Sequence, residues 1–90
     1  MKYVLITGAT AGIGKEIAYS YASRGYNLFL IARREKRLID ISKQISEKFK
    51  VDVIHLVSDL KDKNSPKEIY DFANENSLDI DTLVLNAGYQ

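Results

Sequence analysis

Two periods of apolar residues alternate along the chain, and each change of period marks a predicted element. Residues 3–7 (Tyr-Val-Leu-Ile-Thr) form a β-rich run that is apolar on both faces, as a buried parallel strand would be. From Ile13 to Ala22 the apolar residues instead recur at steps of three and four, which predicts a helix that ends at Gly25. The chain therefore opens with a strand that is closely followed by a helix.

The same alternation continues along the rest of the sequence. A second apolar run at 27–32 precedes a helix whose buried stripe extends from Leu38 to Phe49. A third strand is predicted at 51–57 and a fourth at 82–86.

The start of the third helix has its own signal. Ser65 is predicted as the N-cap, Pro66 takes the first helical position and Glu68 stands where it completes a capping box. We expect the apolar residues that follow, Ile69 and Phe72, to form the buried side of this helix.

The elements therefore follow each other as β-α-β-α-β-α-β, without an internal repeat or a linker. Strands that alternate with helices of this length predict an α/β fold with a parallel sheet and right-handed crossovers. We predict a Rossmann-like three-layer fold with strand order 3-2-1-4 and helices on both faces, as one domain over 1–90. Such sheets bind ligands in the crevice where the strand order reverses, which lies above strands 1 and 4.

Composition and charge narrow the classes of function. Thirteen Lys and Arg against twelve Asp and Glu give a net charge of +1, so no global field attracts a nucleic acid or an anionic membrane. The absence of cysteine excludes a disulfide framework and a thiolate zinc site, and the single histidine excludes clusters built on several imidazoles. The apolar runs are far shorter than the roughly 20 residues that a membrane helix needs, and no signal-peptide pattern opens the sequence. We therefore expect a cytoplasmic protein that binds neither nucleic acid nor membrane.

A glycine-rich turn at 8–14 joins the first strand to the first helix. Gly8 lets the chain leave the strand abruptly, Gly12 lets the backbone approach a phosphate, and Gly14 permits close packing of helix on strand. The amides near Gly12 and Ile13 would then face a pyrophosphate at the positive end of the helix dipole. Glycines in a turn are by themselves weak evidence for a phosphate site, because any β-α turn can require them.

Two motifs taken together are more specific. The first strand is followed by Thr7-Gly8-x-x-x-Gly12-Ile13-Gly14, and the fourth is closed by Asn86-Ala87-Gly88. With these motifs the whole chain resembles the N-terminal part of the short-chain dehydrogenase/reductase family, specifically its classical type. The resemblance implies a dinucleotide cofactor and, for the family, hydride transfer between that cofactor and a carbonyl or alcohol substrate.

The resemblance also implies which residues contact the cofactor. In the turn, the pyrophosphate would be held by Gly8, Thr10, Gly12, Ile13 and Gly14. After the third strand, Asp59 would bond the adenine amino group, with Leu60 beside it. The adenosine ribose would be lined, and the sheet braced, by Asn86, Ala87 and Gly88.

The end of the second strand predicts which dinucleotide is bound. Folds that prefer NAD carry an acidic side chain here for the ribose 2′-hydroxyl, whereas an arginine accommodates the 2′-phosphate of NADP. This chain has Arg33 and Arg34 there, and a guanidinium holds a phosphate through two parallel charge-assisted bonds. A solvated basic loop is the alternative, although Lys36 and Arg37 also crowd this predicted helix start, where cations are disfavoured and only Glu35 offsets them. We predict NADP(H) as the cofactor, with NAD(H) less favoured.

The residues that perform the family's chemistry are not found among the ninety. That chemistry uses a tyrosine with a lysine four residues later and a serine. None of the five tyrosines from Tyr3 to Tyr70 has such a lysine, and Tyr89 lies too near the end to be tested. Two function classes stay open: the cofactor-binding portion of an oxidoreductase, and a stand-alone dinucleotide-binding module without chemistry. We expect no carbonyl reduction by these residues alone. An unrelated flavodoxin-like domain would fit the βα alternation but not the two motifs.

Three further residues are not assigned to a site. His55 has no second histidine and no acidic neighbour at ligand spacing, so we interpret it as a structural or surface residue. Asp79 and Asp81 are expected in a solvated turn just before the fourth strand, opposite the ligand edge. We predict no metal site.

The fourth strand is expected to be an exposed edge of the sheet. Its run Leu83-Val84-Leu85 is apolar and contains no proline or lysine to discourage pairing. Two helices would cover one face of the sheet and the third helix only part of the other, which leaves apolar surface. We therefore expect a homo-oligomer, joined through this strand.

Overall fold

The computed structural model describes residues 2–10 and 12–86. Strands and helices alternate in the predicted order. Their bounds are β1 Lys2–Thr7, α1 Gly12–Ser23, β2 Asn27–Ala32, α2 Glu35–Phe49, β3 Val53–Val57, α3 Ser65–Glu75 and β4 Asp79–Val84.

The four strands form one parallel sheet in the order β3-β2-β1-β4. The strand order reverses at β1, which has β2 on one side and β4 on the other, and this confirms the predicted Rossmann-like topology. Leu5 of β1 pairs with Phe29 of β2 and with Leu83 of β4. Because β1 and β2 are the interior strands and are covered on both faces, their sequences are nearly continuous apolar runs.

Helices α1 and α2 cover one face of the sheet. Their apolar stripes pack against the side chains of β1 and β2 that point to this face, and each fully buried Leu or Ile contributes about 1.5–3 kcal/mol relative to an exposed one. The buried cluster consists of Val4, Ile6, Ala9, Ala18, Ala22, Leu28, Leu30, Ala32, Leu38, Ile41 and Ile45. The two helices are joined where the Tyr19 hydroxyl donates to Gln44 Oε1 at 3.1 Å and the Tyr19 ring packs edge-on against Phe49.

Helix α3 covers only part of the opposite face. Phe72 of α3 stacks on Phe29 with ring centroids 5.4 Å apart, above a smaller buried cluster. That cluster consists of Tyr3, Leu5, Phe29 and Ile31. Leu83, which pairs with Leu5 and so points to this face, is 57% exposed, and Leu85 is 72% exposed. The unequal covering of the two faces is as predicted.

The fourth strand differs from its prediction, since it begins earlier, at Asp79, and ends earlier, at Val84. Asp79 and Asp81 therefore lie within the strand and not in a turn before it. The register shifts between Tyr3 and Val4, which leaves Asp81 as an extra residue opposite them. The strand was predicted from its run at 82–86, and the charged Asp79 and Asp81 lie before that run, so the start of the strand was predicted too late.

The amino end of β3 also differs from its prediction at residue 51, because the strand begins at Val53. The residue before it, Asp52, makes other contacts. The carbonyl oxygen of Asp52 accepts from Leu28 N–H at 2.9 Å, and Asp52 N–H donates to Asn27 Oδ1 at 2.9 Å. The Tyr3 hydroxyl donates to the Asp52 carboxylate. This hydrogen bond, together with burial and the carboxylate charge, raises the pKa of Tyr3 to about 12.

Candidate functional site

The loops that follow the four strands meet at the carboxyl edge of the sheet. Three hydrogen bonds link them: Ala9 N–H donates to the Ile31 carbonyl at 3.4 Å, Ser58 N–H to the Ala32 carbonyl at 2.9 Å, and Asn86 N–H to Thr7 Oγ1 at 3.0 Å. The chain segments after β1, β2, β3 and β4 are thus held side by side. In a doubly wound sheet this edge is the position of the ligand crevice.

The turn after β1 brings bare backbone to this edge. Gly8 (φ 63°) and Gly12 (φ 56°) both have the left-handed conformation that favours glycine. Gly14 has no room for a side chain, since a Cβ there would lie 2.0 Å from the Gly8 carbonyl oxygen. Helix α1 begins at Gly12, so its first N–H groups, which have no partner within the helix, open onto the edge. Thr10 is half-buried in this turn, and Ile13 is 65% exposed.

Asn86 fastens the turn to the end of the sheet. Its side-chain amide donates to the Gly8 carbonyl oxygen at 3.2 Å. Thr7 Oγ1 accepts from Asn86 N–H and donates to the Asn86 carbonyl oxygen at 3.2 Å. Sequence reasoning did not assign Thr7 to the site, although its signal was present as a hydroxyl residue at the strand end directly before Gly8. Ala87 and Gly88, which the sequence assigns to the ribose, lie outside the described residues.

The end of β2 carries the basic cluster. Arg33 and Arg34 are exposed and follow directly on the strand. Arg34 is the N-cap of α2, with an extended backbone and no side-chain hydrogen bond to the helix, because a guanidinium has no acceptor. Glu35 is the one acidic residue in the first turn of α2. The guanidinium charges and the positive end of the helix dipole therefore add at this position.

The loop after β3 presents Asp59 and Leu60, both exposed. Asp59 Oδ1 accepts from Lys61 N–H at 3.0 Å, and the Asp59 carbonyl oxygen accepts from Asp62 N–H at 2.9 Å. These two bonds form a tight turn directly beyond the point where Ser58 is joined to the end of β2.

The start of α3 corrects the predicted capping box. The helix begins at Ser65, with Asn64 as an N-cap that makes no side-chain hydrogen bond to it, and Pro66 stands one position further in than predicted. The Ser65 hydroxyl is fully buried and lies 2.6 Å from Ser58 Oγ, which donates to Glu68 Oε1 at 3.2 Å. The predicted box is wrong because the end of β3 lies against the first turn of α3 and provides partners that local sequence does not reveal.

The other titratable residues named from the sequence lie away from this edge. His55 is exposed in the middle of β3, and Asp81 Oδ1 lies 3.9 Å from Lys2 Nζ near the amino end of β4. Within residues 2–10 and 12–86 no group of three or more His, Cys, Asp or Glu is arranged to hold a metal ion. No helix in these two ranges has the length and apolar character needed to cross a bilayer.

Comparison with known proteins places this geometry in a family. The sequence profile of the family described as short chain dehydrogenase matches residues 2–90. The chain belongs to the short-chain dehydrogenase family. This short-chain dehydrogenase sequence is 40% identical over 88 residues to the very-long-chain 3-oxoacyl-CoA reductase of Kluyveromyces lactis, covering 96% of the chain and 25% of that relative. It is 38% identical over 85 residues to sulfoacetaldehyde reductase 2 of Chromohalobacter salexigens, covering 94% and 33%.

Solved structures of similar proteins have the same fold. The L-sorbose reductase of Gluconobacter frateurii, complexed with NADPH and L-sorbose, superposes with a TM-score of 0.90 at 32% identity, covering 97% of this chain and 33% of that one. An alcohol dehydrogenase from the archaeon Thermococcus sibiricus, complexed with 5-hydroxy-NADP, has a TM-score of 0.85 at 35% identity, covering 92% and 35%. This short-chain dehydrogenase chain therefore spans about a third or less of the relatives it matches.

Proposed function

We propose that this chain binds the adenosine half of NADP(H) and forms that part of the cofactor site of a short-chain dehydrogenase/reductase. The observation that carries the proposal is the convergence at one sheet edge of a glycine-rich turn, a guanidinium pair and an exposed carboxylate. Each of these groups matches a different portion of an adenine dinucleotide phosphate.

The pyrophosphate is assigned to the turn after β1. Its close approach is possible because Gly8, Gly12 and Gly14 carry no side chains, and Gly14 sits against the Gly8 carbonyl oxygen where a Cβ would clash. The amides of this turn, including those of Thr10 and Ile13, and the dipole of α1 are suited to an anion that needs several N–H donors.

The 2′-phosphate is assigned to Arg33, with Arg34 as a helper. A phosphate at this position would be held by charge-assisted hydrogen bonds and by the positive end of α2, whereas a bare 2′-hydroxyl would gain little from a guanidinium. This supports NADP(H) over NAD(H). The complexes of the two similar structures with NADPH and with 5-hydroxy-NADP point in the same direction.

The adenine is assigned to Asp59, whose carboxylate would accept from the adenine amino group, with Leu60 against the ring. The ribose is assigned to Asn86, Ala87 and Gly88. Asn86 also positions the glycine turn, since its side-chain amide donates a hydrogen bond to the Gly8 carbonyl oxygen.

The reaction of the whole protein is proposed to be that of the family. Bound NADPH supplies a hydride to a carbonyl carbon, and the part assigned to these ninety residues is to bind and orient the adenosine end of the cofactor. Five of the six tyrosines have a fourth following residue in this sequence, and in none of them is it a lysine, so we predict that these ninety residues bind NADPH without oxidising it. A cofactor-binding module without chemistry is the second candidate, and the same sequence observation favours it for the isolated chain.

Titration of the chain with NADP and with NAD tests the cofactor assignment. We expect NADP to bind at least about tenfold more tightly, because a hydrogen bond to a charged group contributes about 1.5–3 kcal/mol. Equal affinity for the two cofactors would contradict the assignment of Arg33. Loss of the NADPH absorbance in the presence of a carbonyl compound would instead show that the chain itself reacts.

We propose in addition that the chain self-associates through β4. This strand pairs with β1 alone among the described strands, and its exposed apolar residues, Leu83 and the adjacent Leu85, continue an uncovered part of the sheet face. The cytoplasmic location expected from the sequence stays a prediction.

A further inference from the structure

Three side chains form a hydrogen-bonded network beneath the loop that follows β3. Ser58 Oγ and Ser65 Oγ lie 2.6 Å apart, and Ser58 Oγ lies 3.2 Å from Glu68 Oε1. Both serines are buried. A carboxylate can only accept, so Ser58 must donate to Glu68, and its own oxygen then accepts the proton of Ser65. Ser58 Oγ therefore both donates and accepts, Ser65 Oγ donates, and the network runs in one direction from Ser65 through Ser58 to Glu68.

This network closes the loop that contains Asp59. Ser58 and Ser65 stand seven positions apart, at the two ends of the loop, and their hydroxyl contact joins these ends directly. On the strand side Ser58 N–H is bonded to the Ala32 carbonyl oxygen. Asp59 is the next residue along the chain. Its backbone is therefore attached to Ser58, whose N–H and hydroxyl are both hydrogen-bonded.

The network does not cap the first N–H groups of the helix. A serine at a helix start normally caps the first N–H groups, but the Ser65 hydroxyl bonds across to Ser58, and the N-cap Asn64 makes no side-chain hydrogen bond to α3. The polar groups at the start of α3 are therefore arranged around the loop and not around the helix end.

We infer that Ser58, Ser65 and Glu68 are positioning residues that hold the Asp59 carboxylate in place for the adenine amino group. The inference rests on the proposed function, because it assumes that Asp59 accepts from adenine. None of the three residues is assigned a contact with the cofactor. Loss of the network leaves the carboxylate bonded to Lys61 N–H but releases the two ends of the loop that carries it, which lowers the chain's ability to distinguish adenine from a base without the amino group.

The test compares binding of adenosine 2′,5′-bisphosphate and inosine 2′,5′-bisphosphate, which differ at the position that faces Asp59. Inosine has a carbonyl oxygen where adenosine has the amino group, so the intact chain should prefer adenosine by about tenfold, as for one hydrogen bond to a charged group. Glu68→Ala removes the final acceptor, and we expect the preference to fall to about threefold or less. Glu68→Gln keeps a carbonyl oxygen at that place and should retain most of the preference.

Two further variants complete the comparison. Ser58→Ala breaks the network at its centre and should lower the preference as Glu68→Ala does. Ser42→Ala is the matched control, because Ser42 is also buried but its hydroxyl has no partner in the part of the chain that the structure describes. If Ser58→Ala does not fold, Glu68→Ala still tests the inference. This variant should fold, since Glu68 is exposed and alanine favours a helix.

A purely structural role would weaken both ligands by the same factor and leave their ratio unchanged. An unchanged ratio in Glu68→Ala and Ser58→Ala therefore overturns the inference while the cofactor assignment stands. If the unsubstituted chain binds neither ligand, or binds both equally, the assignment of Asp59 to adenine fails and the inference falls with it. The result for the unsubstituted chain thus distinguishes failure of the Asp59 assignment from failure of the positioning inference.

Discussion

The side-chain amide of Asn86 donates a hydrogen bond to the carbonyl oxygen of Gly8 at 3.2 Å. This bond joins a residue two positions beyond the end of β4 to the first residue of the glycine turn, 78 positions earlier. Gly14 lies against the same two residues, because a Cβ on it would also be 2.7 Å from Asn86 Nδ2. The shape of the turn therefore depends on a residue from the other end of the chain.

Replacing Asn86 with alanine should lower the free energy of unfolding by about 1–2 kcal/mol, because the Gly8 carbonyl loses its partner. Urea denaturation measures this change. Asn74→Ala, at an exposed position of α3, is the control and should not destabilise the chain. Equal stability of the two variants would mean that the Asn86 bond does not brace the turn.

Gly14→Ala should be more damaging, because its Cβ would meet the Gly8 carbonyl oxygen at 2.0 Å and backbone cannot give way cheaply. We expect a loss of about 2–3 kcal/mol or more of unfolding free energy, and loss of NADP binding. Gly25→Ala separates clash from backbone strain: there is open space around Gly25, but its φ of +89° should cost about 1–2 kcal/mol. The folded fraction of Gly25→Ala should bind NADP normally, and if it does not, the turn is not the determinant of binding.

Arg33→Ala should weaken the affinity for adenosine 2′,5′-bisphosphate by at least about tenfold and leave that for adenosine 5′-diphosphate nearly unchanged. Only the first ligand carries the 2′-phosphate. Calorimetric titration with both ligands measures the difference. Arg24→Ala, an exposed arginine that lies over the Tyr21 ring at the far end of α1, is the control and should bind both as before. If Arg33→Ala lowered the affinity for both ligands equally, Arg33 would contact a part of the nucleotide other than the 2′-phosphate.

Alkaline pH should destabilise the fold through Tyr3. Its pKa is raised from 10.0 to about 12, chiefly by the hydrogen bond to Asp52, so the folded state holds a proton that the unfolded state releases first. The resulting stability is fully present below pH 10 and is lost as the pH rises towards 12. Urea denaturation at several pH values should show a steeper decline for the unsubstituted chain than for Tyr3→Phe. Tyr70→Phe, at an exposed position, should follow the unsubstituted chain, and a decline shared by all three would remove Tyr3 as the cause.

Leu83→Lys should reduce self-association. Sedimentation of the unsubstituted chain at tens of micromolar should show a dimer or larger species, because the exposed edge of β4 offers apolar side chains and unpaired backbone groups to a second copy. A lysine in this strand places charge at that edge and should shift the chain to monomer. Ile39→Lys, at an exposed position of α2, is the control and should not change the association. A monomeric unsubstituted chain would contradict the proposed assembly.

Much of this protein could be derived from its sequence. The strand and helix order follows from the two periods, because burial on a sheet face and on a helix stripe imposes different spacings on apolar residues. The strand order followed from the topology rules for βαβ units, and it is confirmed. The family was predicted from the resemblance of two short motifs, the glycine turn after β1 and Asn86-Ala87-Gly88, and membership is confirmed as well.

Contacts between distant segments were decided only by the tertiary structure. The bulge at Asp81 depends on how β4 aligns with β1, which no local period records. Ser65 resembled a helix cap until the end of β3 brought Ser58 to it, and Thr7 became part of the site through Asn86. For Ser65 and Thr7, the hydroxyl bonds to a residue from another segment of the chain. The packing of the strands and helices determines which of these partners lies within hydrogen-bond distance.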